Sequence, residues 1–393
     1  VGSDDGGEQV DIANELSLLA DASGDASSVV GRFEVALTSG LIEAGLFNGS
    51  ALGDTIGDFG PSLVSAAGGD FLVSDSFTVN VLDNFTVEAG QGGLIGGPDV
   101  ADPAVAIDIT SQGTLTFLGD DDTAIDFGGL SMALTARDIA IENGARIGAA
   151  TMDVTSLDTL NPAILGGSGT PGGTVTDEGF TLIAEELARL DVGSFTFTQP
   201  VLGDAGVDDP DIVMRAATAF GSDDPDGGVS DILVRTDGAG GIIRVDGLFE
   251  LVNAAPNDTV ALETGERIEI VTPGGIVLSD SDGLPSGQLS LFADDIWVAD
   301  ADLIGQLQDN AGFTGRNDDL AVAATGSDDP FGYLVAERVE LVPGISLLVR
   351  NTGTETEQGG ITVGEGGLFI AASESADSAL DVFAYGRRQR VDG

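Results

Sequence analysis

Apolar and polar residues alternate with a period of two along most of the chain. The alternation is clear in 77–81, 115–117 and 268–270, where Phe, Val, Leu and Ile are separated by polar residues. A period of two is typical of strands with one buried face. The segments are separated by turn-forming pairs such as Asn143-Gly144 and Gly274-Gly275. The pattern therefore predicts a chain that is mostly β-strand.

A loose repeat indicates how these strands are arranged. Each copy has an apolar pair, a small residue, two polar residues and then an apolar alternation, and the copies begin at Leu72, Leu134, Leu182, Leu291 and Leu334. Stacked coils produce such self-similarity, because each coil places its strands on those of the next. We therefore predict an all-β fold, a right-handed parallel β-helix (β-solenoid) with coils of roughly 20–25 residues. An antiparallel sandwich is the alternative, and its strands would not repeat a motif.

Two segments depart from this pattern. In 8–48, apolar residues including Ile12, Leu16 and Leu19 have helical spacing. We expect this region to form an irregular or partly helical N-terminal cap. Residues 180–191 fit both a strand and an inserted helix, and their alignment with the other copies of the repeat favours a strand.

The domain organisation follows from the position of the repeat. We predict an N-terminal cap or connecting segment at 1–70 and a β-solenoid shaft at 71–393. Long turns are expected to project from the shaft at 157–178 and 204–210. No break in composition and no polar linker divides the shaft.

The charge and the missing residue types exclude several functions. There are 66 acidic residues against 14 basic ones, a formal net charge of −52, and every basic residue is Arg. The absence of Lys, His and Cys excludes a histidine base, a thiolate nucleophile and a zinc cage. Nucleic acid is not expected as a partner, because its binding needs clustered cations. A hydrophobic fraction of 42% is nevertheless sufficient for folding.

The chain is expected to be exported. It begins at Val1 without an initiator Met, and it contains no run of eighteen apolar residues that would span a membrane. The absence of Cys suits a large secreted protein that crosses an envelope without forming disulfides. We interpret the sequence as a mature fragment of a secreted, extracellular protein.

Carboxylates are the only abundant reactive groups. Parallel β-helices include polysaccharide hydrolases and lyases, in which paired acids act as general acid and base. Most acid pairs here lie in Gly- or Pro-rich turns, where solvated loops are the favoured interpretation; they are Asp120–Asp122, Asp208–Asp211, Asp223–Asp224, Asp294–Asp295, Asp318–Asp319 and Asp328–Asp329. Trp297 is interpreted as a packed core residue rather than a platform for a sugar ring. We expect no enzymatic activity.

Calcium is a candidate ion, because it needs six to eight oxygen ligands from carboxylates and carbonyls. The turns at 118–122 and 279–283 place acids next to Gly or Ser. Neither turn matches a known calcium-loop motif, so solvated turns remain the alternative. The candidate ligands are Asp120, Asp121, Asp122, Asp280 and Asp282.

Three segments of the chain carry a resemblance to a known family. The run at 134–147, the turn at 168–175 and the tail at 382–393 resemble the shafts of filamentous-haemagglutinin-like giant adhesins, surface proteins of Gram-negative bacteria, and the tail is similar to alphaproteobacterial members. The resemblance implies a secreted parallel β-helix at the cell surface. It provides no catalytic residue.

These observations lead to one favoured function and two alternatives. We expect a structural or adhesive, non-catalytic segment of a cell-surface fibre, whose partners are neighbouring solenoid segments or copies of itself. A polysaccharide-acting enzyme with paired Asp carboxylates is the first alternative. A calcium-dependent surface-layer or binding module is the second.

Overall fold

The computed structural model describes residues 62–293 with gaps at 67–69, 74–76, 90–94, 97–105, 120–123, 143, 169–178, 203–208, 225–226, 239, 272–273 and 284–285. Before residue 62, after residue 293 and at 70–73, 95–96, 106 and 124, it describes the backbone of strands alone. The described residues are mostly β-strand, with 33 strands and one helical turn. The all-β prediction is confirmed.

The strands and the helix follow one another along the chain with the following bounds. The first eleven strands are β1 (Gln9–Asp21), β2 (Glu34–Ala36), β3 (Leu41–Leu52), β4 (Ser62–Ala66), β5 (Asp70–Val73), β6 (Phe77–Val81), β7 (Phe85–Ala89), β8 (Ile95–Gly96), β9 (Ala106–Gly119), β10 (Ala124–Asp126) and β11 (Ser131–Glu142). The next elements are β12 (Arg146–Ser156), β13 (Ala163–Leu165), β14 (Thr181–Leu182), α1 (Ala184–Leu187), β15 (Leu190–Pro200), β16 (Ile212–Met214), β17 (Ala217–Phe220), β18 (Asp231–Asp237), β19 (Ile242–Val245), β20 (Leu248–Val252), β21 (Thr259–Glu263) and β22 (Arg267–Val271). The last are β23 (Gly275–Leu278), β24 (Gln288–Phe292), β25 (Asp295–Ala299), β26 (Val322–Ala324), β27 (Leu334–Val335), β28 (Arg338–Leu341), β29 (Val349–Asn351), β30 (Gly359–Ile361), β31 (Ile370–Ala372), β32 (Ala379–Ala384) and β33 (Arg387–Asp392).

The chain divides into two compact units. The first comprises Val1–Asp158, Gly169–Leu182 and Arg189–Phe197, and the second comprises Thr159–Ser168, Ile183–Ala188 and Thr198–Gly393. The division does not coincide with the boundary predicted between 1–70 and 71–393, which stays a prediction.

In the first unit, strands far apart in sequence pair in parallel. β3 pairs with β1 along one edge and with β5 and β6 along the other. β9 pairs in the same way with β6, β7 and β11, and β11 pairs with β12. One row of register partners consists of fully buried residues: Phe77, Ile107, Met132 and Met152. Apolar alternation therefore produces a continuous buried row across four strands.

In the second unit, every third strand from β16 to β25 pairs in parallel, which gives three sheets. Sheet I contains β13, β16, β19, β22 and β25 in that order. Sheet II contains β17, β20, β23 and β27. Sheet III contains β18, β21, β24 and β28. From β16 to β25 the chain visits the three sheets in turn, so that each group of three strands lies on the preceding group. Beyond this region β26 also pairs with β25, and β30–β31 and β32–β33 form antiparallel pairs.

The interval between register partners varies. In sheet III, Asp231 pairs with Thr259 and Thr259 pairs with Gln288, at intervals of 28 and 29 residues. In the first unit, Met132 and Met152 are only 20 residues apart. The predicted coil length of 20–25 residues therefore matches the shortest intervals between register partners. Longer turns account for the longer intervals.

The helical part of the prediction for the N-terminal cap is wrong for the residues that the structure describes. Ile12, Leu16 and Leu19 lie in the thirteen-residue strand β1, which pairs in parallel with β3. A register shift between Ile12 and Glu15 interrupts the ladder. Such a shift changes which side chains alternate on each side of it. The strict period of two that identifies a strand in the sequence is therefore lost in β1.

The strand prediction for 180–191 is also wrong at its centre. β14 ends at Leu182, and α1 occupies Ala184–Leu187 before β15 begins at Leu190. The Oε2 atom of Glu186 accepts a hydrogen bond from the backbone N–H of Ile183 at 2.8 Å, and Glu186 is fully buried. This contact satisfies a backbone donor at the start of the helical turn. Glu186, the second acid of the repeat pattern, thus stabilises a helical turn in this copy.

In two other copies of the repeat, the small residue lies at an interruption of the strand pairing. Ala136 lies beside a register shift within β11, and Ala293 lies between β24 and β25. Part of the long turn predicted at 157–178 forms β13, which pairs with β16. Residues 169–178, and 204–208 of the second predicted turn, lie outside the described residues.

Candidate functional site

The predicted calcium ligands fall into two groups. Asp120, Asp121 and Asp122 lie outside the described residues. Asp280 and Asp282 share one turn, where the Oδ1 atom of Asp280 accepts the N–H of Asp282 at 2.9 Å. Within the described part of the chain, no group of three or more acids could hold a metal ion. Calcium binding stays a prediction.

Several acids of the predicted pairs hold the backbone. Asp211 is buried, and its two oxygens accept the N–H groups of Leu202 and Ile242, each at 2.7 Å. Asp224 accepts a hydrogen bond from the side-chain amide of Asn253. Asp208, Asp294, Asp318, Asp319, Asp328 and Asp329 lie outside the described residues or side chains. The described acids therefore connect neighbouring turns and strands.

A charged cluster lies on sheet I, on the face opposite to the core. Ile268 and Ile270 of β22 are fully buried register partners of core residues in β19. Because side chains alternate along a strand, Arg267 and Glu269 lie on the other face. Arg244 of β19 is the register partner of Glu269. Parallel pairing therefore brings Arg244 to the carboxylate of Glu269, and the alternation along β22 places Arg267 beside the same carboxylate.

Glu269 is the centre of this cluster. Its Oε2 atom accepts from the Nε and Nη2 atoms of Arg244, both at 2.7 Å, and its Oε1 atom accepts from Nε of Arg267 at 2.8 Å. The side chain of Glu269 has no exposed surface, that of Arg267 is 7% exposed and that of Arg244 is 26% exposed. A carboxylate buried to this degree is tolerated because both oxygens are paired with charged donors.

Two further charged residues occupy the corner between sheets I and II. Arg215 follows β16 and Asp246 follows β19, and both side chains are exposed. The backbone N–H of Arg215 donates to the carbonyl of Leu165 at 2.7 Å, and that of Asp246 donates to the carbonyl of Met214 at 2.9 Å. The two corners are therefore held by the same backbone contact, one coil apart.

Asp246 has an unusual electrostatic environment. Desolvation by the surrounding protein raises the pKa of its carboxyl above the ordinary value of 3.8, although the nearby Arg215 and Arg244 act in the opposite direction. Its backbone N–H group also lowers the pKa, by less. Because the pKa of Asp246 is raised overall, the effect of desolvation on it is larger than the combined effect of the two guanidinium groups.

The register also locates Trp297, the only tryptophan of the chain. Trp297 pairs with Glu269, whereas Ile296 and Val298 pair with the core residues Ile268 and Ile270. Its backbone position therefore belongs to the row of Glu269, but its side chain lies outside the described part of the chain, so its interpretation as a packed core residue stays a prediction. We call Arg215, Arg244, Asp246, Arg267 and Glu269 the arginine face.

Comparisons with family models, curated proteins and solved structures give no match for this chain. In the described residues, no helix is both long enough and apolar enough to span a membrane.

The arginine face was not found by sequence reasoning. The alternation of Arg267 and Glu269 with two isoleucines was the available signal, because charged residues in a buried strand need partners.

The arginine face combines the groups that bind polar ligands. Arg215 and Arg244 are hydrogen-bond donors with exposed surface, and Asp246 is an exposed acceptor. Glu269 and Arg267 beneath them fix the position of Arg244. Such an arrangement can recognise hydroxyl groups or a carboxylate with little reorganisation.

Proposed function

We propose that each unit is a segment of right-handed parallel β-helix, and that the chain is a non-catalytic, structural or adhesive segment of a secreted cell-surface fibre, similar to a filamentous-haemagglutinin-like giant adhesin of a Gram-negative bacterium. The observation that carries this proposal is the pairing of every third strand in sheets I, II and III. A strand-turn-strand path that returns to the same three sheets is that of a coil. Parallel crossovers are right-handed in nearly all proteins.

The energetics of the stack support a structural role. Each coil adds residues to the same buried rows, as Ile232, Val260 and Leu289 do in sheet III. Stability is therefore distributed over nearest-neighbour contacts, and further coils extend the same core. The end coils of such a stack would have open strand edges, which neighbouring solenoid segments or further copies of the chain would cover. The net charge of −52 opposes lateral aggregation.

A polysaccharide-acting enzyme is the second candidate, and the raised pKa of Asp246 favours it, because a general acid must hold its proton. However, Glu269, the carboxylate fixed in the same cluster, is held between two arginines. Both oxygens of Glu269 are therefore already occupied by arginine donors and do not face a substrate. A calcium-dependent surface-layer module is the third candidate, supported only by the turn that contains Asp280 and Asp282.

Electron microscopy and X-ray diffraction of aligned protein test the proposal. We expect elongated particles and a strong reflection at about 4.8 Å along the particle axis, the spacing between stacked strands. Compact particles that cleave a polysaccharide would contradict the structural function. The same images recorded with Ca²⁺ and with a chelator test the calcium candidate, which predicts that the particles lose their form when Ca²⁺ is removed.

A further inference from the structure

Three peptide bonds in the described part of the chain join an Asp to a Gly: Asp237-Gly238, Asp246-Gly247 and Asp282-Gly283. Such a bond rearranges without an enzyme or a cofactor. The backbone nitrogen of the Gly forms a bond to Cγ of the Asp, a carboxyl oxygen leaves as water, and a succinimide ring results. Water then adds to one of the two ring carbonyls and breaks the bond between that carbon and the nitrogen. When the carbonyl is that of the original main chain, the product is isoaspartate, whose main chain runs through Cβ and Cγ.

The folded structure decides which of these bonds reacts. The ring closes only when the backbone rotates until the Gly nitrogen faces Cγ of the Asp, and a small displacement from that geometry strongly slows an intramolecular reaction. A Gly favours the rotation because it has no Cβ atom to obstruct it. The remaining obstacle is the contact of the pair with neighbouring strands and turns, and this contact differs among the three pairs.

The pair Asp282-Gly283 has the most freedom. It lies in the turn between β23 and β24, and both residues are exposed. Among the described residues, and apart from its chain neighbours, no atom lies within 4 Å of the position that a Cβ atom on Gly283 would take. The N–H groups of Asp282 and Gly283 donate to Asp280, at 2.9 Å to its Oδ1 atom and at 3.0 Å to its carbonyl oxygen. Both bonds belong to the same turn, so breaking them leaves the strand ladders intact.

The pair Asp246-Gly247 is enclosed by the preceding and the following corner. The N–H of Asp246 donates to the carbonyl of Met214 at 2.9 Å, and the carbonyl of Gly247 accepts the N–H of Gly275 at 3.1 Å. A Cβ atom on Gly247 would overlap the backbone of Ala216. The backbone of this pair therefore cannot rotate without breaking contacts on both sides.

Protonation of the carboxyl favours the opposite order. The reaction is faster for a neutral carboxyl, because its oxygen leaves more readily as water, and desolvation raises the pKa of Asp246. If protonation decided the outcome, Asp246 would react before Asp282. The two pairs therefore distinguish the effect of protonation from that of backbone freedom.

The pair Asp237-Gly238 is intermediate. Asp237 is exposed, but its carbonyl accepts the N–H of Val201 at 3.4 Å. A Cβ atom on Gly238 would lie 3.0 Å from Cγ2 of Val201. Contacts on one side therefore restrain this pair, whereas contacts on two sides restrain Asp246-Gly247.

We propose that Asp282 is a site of spontaneous conversion to isoaspartate in the folded protein. The conversion releases one water and takes up another, keeps one carboxylate and adds one methylene group to the main chain between β23 and β24. The added group lies in the exposed turn, so the strands of sheets II and III keep their pairing. This modification depends on the turn alone and is independent of the proposed function.

The absence of Lys allows the three pairs to be measured separately. Trypsin then cleaves only after Arg, and the tryptic peptides 236–244, 245–267 and 268–316 carry one Asp-Gly pair each. The intact protein is incubated at neutral pH, both folded and unfolded in urea. Isoaspartate in each peptide is then quantified by mass spectrometry with electron-transfer dissociation, so that each pair is compared with itself in the unfolded chain.

The fold should slow the three pairs to different degrees. We expect Asp282 to keep most of its rate in the folded protein, whereas Asp246 should react at least roughly tenfold more slowly than in urea. Asp237 should lie between them. Retardation of Asp282 by the fold as large as that of Asp246 would overturn the proposal, and so would a faster reaction of Asp246 than of Asp282 in the folded protein.

Gly283→Ala tests the site directly, because its Cβ atom obstructs the rotation. This variant should form isoaspartate at Asp282 at least roughly tenfold more slowly and leave the rate at Asp237 unchanged. Ser281→Ala, in the same exposed turn, is the matched control and should leave the rate at Asp282 unchanged. Equal rates at Asp282 in the two variants would contradict the assignment. If Gly283→Ala does not fold, the comparison of the folded unmodified protein with the protein in urea still decides.

Discussion

Arg267 and Glu269 are two residues apart on β22 and form an ion pair along the strand, with Nε of Arg267 2.8 Å from Oε1 of Glu269. Both side chains are almost completely removed from solvent. Replacing Glu269 by Gln removes the buried carboxylate that pairs with both Arg244 and Arg267. We expect Glu269→Gln to lower the free energy of unfolding by about 3–5 kcal/mol, as measured by urea denaturation.

Glu266 provides the matched control for this prediction. It lies 3.6 Å from Nη1 of Arg267, but its side chain is 44% exposed. Solvent screens such a pair, so Glu266→Gln should change stability by about 0–1 kcal/mol. Equal losses in the two variants would show that the burial of Glu269 is not what makes its ion pairs important.

The pH dependence of stability should report on Asp246. Its pKa is raised in the folded protein, so the unfolded chain loses this proton first as the pH rises above the ordinary value of 3.8. Ionisation of Asp246 therefore costs stability at neutral pH, and Asp246→Asn removes that cost. We expect the stability of the variant relative to the unmodified protein to increase between pH 3 and pH 7. A decrease over this range, measured by urea denaturation at each pH, would contradict the raised pKa.

Asp258 is a buried acid that stabilises a turn. It accepts hydrogen bonds from the N–H and Oγ of Ser222, at 2.8 and 2.6 Å, and from the N–H of Ala255 at 3.0 Å. Asp258→Ala should cost about 3 kcal/mol, because two backbone donors lose their acceptor. Ser222→Ala removes one hydroxyl bond alone and should cost about 1 kcal/mol. If both variants unfold at the same urea concentration, the backbone contacts of Asp258 contribute little.

Two glycines with positive φ separate steric crowding from backbone strain. Gly166 has φ of +90° and Gly283 has φ of +74°. A Cβ atom on Gly166 would lie 2.6 Å from the carbonyl oxygen of Arg215, whereas Gly283 has no atom within 4 Å of the equivalent position. Gly283→Ala should cost about 1–2 kcal/mol from strain. Gly166→Ala should cost a further 1–3 kcal/mol or so in thermal or urea unfolding, because the backbone must move.

Much of the fold could be predicted from alternation alone. The residues that alternate at 77–81 and 268–270 are strands, with Phe77, Ile268 and Ile270 in the core. The helical turn could not be predicted, because it depends on where the carboxylate of Glu186 lies in three dimensions. The phase of β1 was misread for a related reason, since a local register shift has no sequence signature of its own.

The candidate site was less predictable than the fold. Arg244 and Glu269 are 25 residues apart, and only the register of β19 with β22 brings them together. Turns of variable length determine that register, so counting along the sequence does not reveal it. Clusters of adjacent acids were conspicuous in the sequence, yet Asp211 among them serves to hold the backbone.

The 29-residue interval between Thr259 and Gln288 makes the length of this protein adjustable in whole coils. Excision of residues 259–287 would join Asp258 to Gln288 and place β24 beside β18, while β25 would take the place of β22 beside β19. Each new neighbour presents apolar residues at the same positions as the one it replaces, such as Leu289 for Val260. Gain or loss of a coil by recombination is therefore a route by which descendants of this gene could become longer or shorter without designing a new core.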